Sequence, residues 1–354
     1  MSDNLDLTFY KDKRVFVTGH TGFKGSWLCR LLLNAGAEVT GYALAAEKPS
    51  LFDIADVSSH ITSVTGDIRD LESLRAAFSA AKPEIVLHLA AQPIVREGYK
   101  NPAYTYETNV MGTVNILECV RESGSVRSFL NVTTDKVYLN SGMESGYKEN
   151  EELNGYDPYS NSKSCSELVT NTYKNCFMDA LGVSVSTARG GNVIGGGDFG
   201  ADRIVPDCIR AVRDGRKIPL RNPRSVRPYQ HVLDALAAYL MIAAGQYGDL
   251  AIAGSYNVGP DECDCITTGM LAELFCKYWG GDAAWESCVE ENAPQEADFL
   301  RLDCSKLKKA FGWKPVWNIE RSMEETCRFT KVMLNGGDVP QEMDREICEF
   351  FKIC

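Results

Sequence analysis

Tyr159 and Lys163 stand four residues apart in "YDPYSNSK", a spacing that puts both side chains on one face of a helix. A phenol ordinarily titrates at about 10, and a neighbouring ammonium favours its ionised form. Such a pair can take the proton of a substrate hydroxyl while hydride leaves the same carbon. The spacing alone arises often by chance. It gains weight here because the helix follows a strand that carries Thr133 and Thr134, and Thr134 can hydrogen-bond the same hydroxyl. Immediately beyond, "TTDKVY" sets Asp135 beside Lys136 where a buried strand should be ending. Charged residues are rarely buried unless paired or used. An exposed ion pair here would contribute only about 0–1 kcal/mol, whereas an acid next to Thr134 can protonate a leaving group.

"TGHTGFKG" carries Gly19, Gly22 and Gly25 between a strand and a helix. Glycines there let the backbone turn tightly and approach a pyrophosphate at the helix N-terminus, the dinucleotide-binding arrangement. The nicotinamide of a bound NAD would add positive charge beside Tyr159 and favour its phenolate further. Such folds usually end the second strand in an acidic residue for the ribose. Here that end runs "TGYALAAEK", with Glu47 the nearest carboxylate, so the stretch leaves NAD and NADP open. His20, Phe23 and Lys24 complete the cofactor-binding candidates of the loop, with His20 and Lys24 placed to touch phosphates or ribose. Asp67 and Ile68, in "GDIRD", end the third strand and can border the adenine or form an ordinary turn. Arg221, Arg224 and Arg227 cluster in "RNPRSVRPYQH". The planar guanidinium fork suits phosphate oxygens, which makes this a pyrophosphate site or a solvated basic loop, with Arg227 the leading candidate. His231 follows the cluster as either a site or a structural histidine; His88, inside an apolar strand, reads as core.

These residues need a scaffold, and the chain supplies one. Strand patterns over 14–19, 38–44, within 61–70, and over 84–91, 127–138 and 183–195 alternate with helical patterns over 26–35, 71–81, 101–123 and 158–180. Alternation of this kind predicts parallel βαβ units with right-handed crossovers. The fold class is α/β: a Rossmann-type doubly wound sheet with ligand sites at the carboxyl ends of its strands. Beyond residue 190 the pattern loosens, with short helices expected near 203–214, 264–279 and 319–334. The reading places an NAD-binding domain over 1–190, joined by part of 229–255, and a smaller C-terminal substrate-binding domain over 191–354.

Composition narrows the function. A formal net charge of −11 argues against a general nucleic-acid binder but leaves room for a local basic pocket. No stretch approaches the ~20 apolar residues of a membrane span. The polar start "MSDNLDLTFYKDKR" lacks a signal-peptide core, so a soluble, cytoplasmic protein is expected. The 13 cysteines are scattered and read as reduced, mostly buried thiols; the four histidines lie well apart, and no metal site is expected.

"TGHTGFKG", "HLAAQ", "TNVMGT" and "YSNSK" together resemble the extended short-chain dehydrogenase/reductases. Within that group the chain is similar to the CDP-glucose 4,6-dehydratases, through "VTGHTGFKGSWL", "KPEIVLHLAAQPIVR", "GYDPYSNSKSCSELV", "GNVIGGGDF", "RNPRSVRPYQHVLD" and "EADFLRLDCSKLKKAFGW". The resemblance spans nearly the whole chain. It implies tightly held NAD and conversion of CDP-glucose to CDP-4-keto-6-deoxyglucose, an early step toward deoxysugars of bacterial surface polysaccharides. It implies that Thr134, Tyr159 and Lys163 form the oxidation triad and that Gly19, Gly22 and Gly25 form the cofactor loop. Ala90 and Ala91 would lie beside the cofactor. Gln92 and Asn109 would serve the substrate side, Asn109 by supporting the site's geometry. Asn192 and Arg227, with Arg221, would hold the nucleotide's phosphates. A homo-oligomer is expected, a dimer or tetramer, with helices 101–123 and 158–180 available to pair across a two-fold axis.

Dehydration needs more than hydride transfer. Oxidation at C4 acidifies the C5 proton; a base removes it, an acid protonates the departing C6 hydroxyl, and hydride returns to C6. Relatives acting on dTDP-glucose place Asp-Glu where this chain has Asp135 and Lys136. The departure leaves the C5 base open: a neutral Lys136, or a charged Lys136 that steadies the enolate while water or Asp135 takes the proton. Two other readings compete. A nucleotide-sugar 4-epimerase would share the Tyr–Lys pair but need no acid at 135. A non-catalytic cofactor sensor would have no use for Tyr159 and Lys163 in register with Thr134.

Overall fold

Val15 and Val17 alternate with Phe16 along the first strand, and that alternation divides the core. A computed structural model describes residues 5–142, 145–288 and 300–353. Its strands are β1 (Arg14–Thr18), β2 (Glu38–Ala43), β3 (Thr62–Thr65), β4 (Ile85–His88), β5 (Ser128–Thr134), β6 (Ser184–Gly190), β7 (Asn192–Ile194), β8 (Ile218–Leu220), β9 (Val226–His231), β10 (Ser255–Val258), β11 (Cys265–Thr267) and β12 (Trp285–Ser287). Seven of them form one parallel sheet in the order β10-β6-β5-β4-β1-β2-β3. Successive side chains of a strand point to opposite faces. Val15, Val17, Ile85, Leu87, Leu130 and Val132 therefore enter one apolar cluster, while Phe16, Val86 and Phe129 enter another. Both faces of such a sheet must be covered. Helices Phe23–Asn34, Val232–Gly245 and Val339–Phe351 contribute to the first cluster; helices Leu71–Ala81 and Gly112–Glu122 contribute to the second. This is the doubly wound α/β architecture expected from the alternation.

A third cluster, including Val205, Ile218, Leu271, Phe275 and Met323, forms a smaller lobe around the sheets β11-β9-β7 and β12-β8. The chain crosses between the lobes more than once. After β9 the buried helix Val232–Gly245 and β10 return to the large sheet. The C-terminal helix Val339–Phe351, read from sequence as part of the substrate domain, packs instead on the first helix, where Asp344 accepts from Arg30 Nε at 2.7 Å and Asn34 Nδ2 at 2.8 Å.

Three local departures bear on the site. The strand expected over 127–138 stops at Thr134, and Asp135–Val137 form a single 3₁₀ turn. Asp135 and Lys136 are thus lifted off the ladder at the sheet's carboxyl edge. The helix expected over 101–123 runs as Pro102–Tyr106, a π-helical turn Glu107–Met111, and Gly112–Glu122. A second π turn, Lys174–Met178, prolongs the helix Pro158–Tyr173. Of the cysteines among the described residues, eleven are free thiols, five of them buried, and Cys348 is disulfide-bonded, against the expectation of reduced thiols. Among the described residues no helix is long and apolar enough to cross a membrane.

Candidate active site

The helix Pro158–Tyr173 starts where Asp157 accepts from the Ser160 amide at 3.0 Å, with Pro158 in its first turn. That start places Tyr159 and Lys163 against the carboxyl end of β5, where they are 9% and 4% exposed. Lys163 Nζ donates to the Val132 carbonyl at 3.1 Å. The Thr134 side chain faces the Tyr159 phenol and favours its ionised form. Thr134 Oγ1 also reaches Asp135 Oδ1 at 3.0 Å. Lys136 Nζ donates to the same Oδ1 at 3.0 Å and reaches Asn192 Oδ1 at 3.5 Å. Asp135 is fully buried, and its other oxygen, Oδ2, has no hydrogen-bond partner among the described residues. The triad, Asp135, Lys136 and Asn192 therefore form one contiguous constellation.

Its electrostatics follow from burial and from cations crowding one carboxylate. Burial pushes the Tyr159 phenol up, opposed by the Lys136 ammonium and the Thr134 hydrogen bond. Burial, then the Lys24 ammonium, lowers Lys163 to about 7. Burial and the Arg203 guanidinium lower Lys24 to about 8, although Asp135 and Asp198 pull the other way. Lys136 behaves differently. Burial pulls it down, but the Asp135 carboxylate and the Tyr159 oxygen outweigh that pull and leave it above its ordinary value. The Asp135 side chain, 3.0 Å from Lys136 Nζ, thus favours the ammonium form of Lys136.

The glycine loop fits a dinucleotide pyrophosphate. Gly19 has φ +75°, and a Cβ there would lie 2.8 Å from the Ala90 nitrogen. A Cβ on Gly25 would meet the Gly19 carbonyl at 2.1 Å. The helix Phe23–Asn34 then begins at Gly22 without a side-chain cap, leaving its first amides for an anion. Ala90 donates its amide to Thr18 Oγ1 at 3.1 Å, and Ala91 follows on the same strand end. Phe23 and Lys24 lie half-buried in the first turn. His20 turns inward: its Nε2 meets Ser63 Oγ at 2.7 Å, its ring edges onto Phe52, and burial lowers it to about 4. Asp67 pairs with Arg69 at 2.7 Å, while buried Ile68 packs against Gly112.

The expected substrate residues divide. Arg227 is buried, donates to the Val226 carbonyl at 3.0 Å, and acts electrostatically on Lys136. Arg221 sits at the rim, paired with Asp202 at 2.9 Å, and Arg224 is exposed. The cluster thus does not converge as a unit. Gln92 and Asn109 bind each other: the Gln92 amide donates to Asn109 Oδ1 at 2.8 Å, and Asn109 Nδ2 reaches the Gln92 carbonyl at 3.1 Å and Ser162 Oγ at 2.9 Å. Gln92 Nε2 is spent on Thr105 at 2.9 Å. His88 meets Thr18 at 2.7 Å in the core. His231 caps a helix, accepting from the Leu233 amide at 3.3 Å, which makes it structural. The stretch 296–299, the start of the last quoted motif, lies outside the described residues.

Sequence reasoning missed three neighbours of the constellation: Arg203, its partner Asp198 at 3.0 Å, and Tyr239, a fully buried phenol with no partner for its hydroxyl. The signal for the first two was "GGGDFGADR", a charged loop after the sixth strand; a lone phenol in the apolar helix "VLDALAAYLMIAAG" was the signal for the third. Among the described residues, one group of acidic side chains could share a cation: Glu325, Glu342 and Glu346. Arg345 already lies among them, 2.8 Å from Glu342 and 3.7 Å from Glu346.

A Rossmann-type sheet with a Thr–Tyr–Lys triad at its carboxyl edge and a second lobe above it defines the class of nucleotide-sugar dehydratases and epimerases. The profile of the GDP-mannose 4,6 dehydratase family matches residues 16–326, and the chain belongs to that family. It is 44% identical over 353 residues to the CDP-glucose 4,6-dehydratase of Salmonella typhimurium, covering 98% of each chain. Solved structures agree on the fold. The dTDP-glucose 4,6-dehydratase of Streptomyces venezuelae, with NAD and TYD bound, has a TM-score of 0.77 at 24% identity, covering 92% of this chain and 98% of that one. The UDP-glucose 4-epimerase of Thermus thermophilus, solved with NAD, has a TM-score of 0.77 at 26% identity, covering 90% and 98%.

Proposed function

We propose that this chain converts CDP-glucose to CDP-4-keto-6-deoxyglucose and water. NAD, which the loop of Gly19, Gly22 and Gly25 would hold, would supply the hydride chemistry between C4 and C6. The observation that carries the reading is Asp135: a fully buried carboxyl, one residue beyond Thr134, with Oδ2 free of partners among the described residues. An epimerase would share the triad and the cradle, but nothing leaves from C6 in its reaction. The 44%-identical Salmonella relative supports the same substrate.

The steps use the geometry in turn. Tyr159 takes the C4 hydroxyl proton, with Thr134 holding that oxygen and Lys163 adding positive charge below it. Asp135 Oδ2 takes the C5 proton and gives it to the departing C6 hydroxyl, which leaves as water. The Lys136 ammonium steadies the enolate between those events. A proton then returns to C5 as C6 is reduced. Asn192 and Arg227 hold the pyrophosphate. The enzyme works in the cytoplasm as a homo-oligomer, most simply a dimer through the exposed Met111, Leu168 and Phe177 of the two expected helices; light scattering reads its mass.

Incubation with CDP-glucose is the test. A 4-keto product absorbs strongly in the near ultraviolet in alkali, and C4-deuterated substrate should give C6-deuterated product without consuming added NAD. Unchanged substrate, an epimer, or stoichiometric free NADH would each reject the reading.

A further inference from the structure

Glu167 lies on the same helix face as Tyr159 and Lys163, one turn beyond the lysine, and is 2% exposed. Its Oε1 accepts from the Thr133 hydroxyl, and its Oε2 accepts from Thr187 at 2.8 Å and from Arg189 Nη2 at 2.9 Å. The Ser255 hydroxyl stands at 3.4 Å. Three successive turns of one helix thus hold three consecutive residues at the end of β5. Tyr159 takes the Thr134 side chain, Lys163 the Val132 carbonyl, and Glu167 the Thr133 hydroxyl. A buried carboxylate is costly unless its partners are well placed. Here four groups from three strands converge on one that touches no reacting atom.

We propose that Glu167 is a positioning residue of the oxidation site, the third member of the Tyr159–Lys163 face, seating Lys163 and fastening the end of β5 so that Thr134 meets Tyr159. This rests on the reading of Tyr159 and Lys163 as the oxidation pair. The charged and titratable groups facing Lys163 are Lys24 from the glycine loop, His88 from β4, and Glu167 on its own helix. Those facing Glu167 are Lys163, Arg189 from β6 and, behind that guanidinium, Tyr138, which accepts from Arg189 Nη1 at 2.9 Å. Burial and Lys24 lower Lys163 to about 7, and Glu167 is the group that raises it. Removing the carboxylate should therefore make Lys163 lose its proton at lower pH.

The test uses full-length protein labelled with ¹³C at lysine Cε, titrated by NMR without added cofactor, with Lys163→Met assigning the signal. In Glu167→Gln the Lys163 midpoint should fall by about half a unit to one unit, the scale of losing one nearby opposite charge. The double variant Glu167→Gln/Arg189→Gln leaves no unpaired buried charge and serves if the single variant does not fold; the same fall is expected. Glu167→Asp keeps the charge and should hold the wild-type midpoint. Turnover of CDP-glucose by Glu167→Gln should lose tenfold or more in kcat with KM unchanged. An unmoved midpoint in the folded Gln variant overturns the proposal. Failure of the wild type to turn over CDP-glucose would reject the functional reading instead, and the NMR titration would still decide the role of Glu167.

Discussion

At the scale of single residues, Tyr159 and Lys163 were legible because a four-residue spacing on a helix survives any detail of packing. Asp135 and Lys136 were legible as an anomaly, two charges at the end of an apolar run. Their division of labour was not, because it depends on how near each lies to the other and to Tyr159. Lys24 and Arg203 were not legible as neighbours of the triad, since only the fold brings the glycine loop and the loop after β7 to the end of β5. Two predictions belong here. Tyr159→Phe should fold and bind cofactor while turnover drops by about 10²–10⁴-fold, the usual loss with a general base; near wild-type turnover would remove Tyr159 from the role. In heavy water the wild type should place deuterium at C5 of the product. Asp135→Asn should oxidise C4 yet lose C5 exchange, because it removes the only carboxylate of the constellation. Lys136→Met should slow exchange but retain it. Exchange at full rate in Asp135→Asn would shift the base to water.

At the scale of elements, periodicity announced the strands up to residue 195 but not β8 to β12 or the helix Val339–Phe351, and the helix over 71–81 falls where expected. Val232–Gly245 was not announced, because twelve of its residues are buried and it has no polar face to set a period. The π turn at Glu107–Met111 has no propensity signature either; it places Asn109 between Gln92 and Ser162. The glycine loop is where an element and the function depend on one atom. A methyl at Gly25 would sit 2.1 Å from the Gly19 carbonyl, a distance that only backbone movement can relieve. Gly25→Ala should therefore weaken NAD binding at least tenfold by calorimetry, whereas Gly124→Ala, with open space around it, should leave binding unchanged. Equal affinities would mean that the loop does not hold the pyrophosphate.

At the scale of the whole molecule, stability against acid depends on buried groups, of which the sequence marked His88 as core but not His20, Asp234 or Glu346. Burial lowers His20 to about 4 and both His88 and His231 to about 3, so all three are neutral when folded. The unfolded chain protonates them below about 6.5. Their contribution is therefore complete above that pH and is lost as pH falls toward 4. Two buried acids act in the opposite sense. Burial lifts Asp234 to about 7 and Glu346 well above its ordinary value, so the folded state holds their protons where the unfolded chain does not. The three histidines therefore cost the folded state stability as the pH falls below about 6.5, and the two acids offset part of that loss. Asp234 accepts the Val316 amide at 2.6 Å, tying the helix Val232–Gly245 to the chain that leads into the helix Ile319–Leu334. Asp234→Asn keeps an oxygen that can accept from the Val316 amide, but it has no proton to take up below about 7. Its deficit relative to wild type, by urea unfolding, should grow by about 1.4 kcal/mol for each unit from pH 7 to pH 5. A deficit that stays constant across that range would mean that Asp234 is ionised in the folded protein.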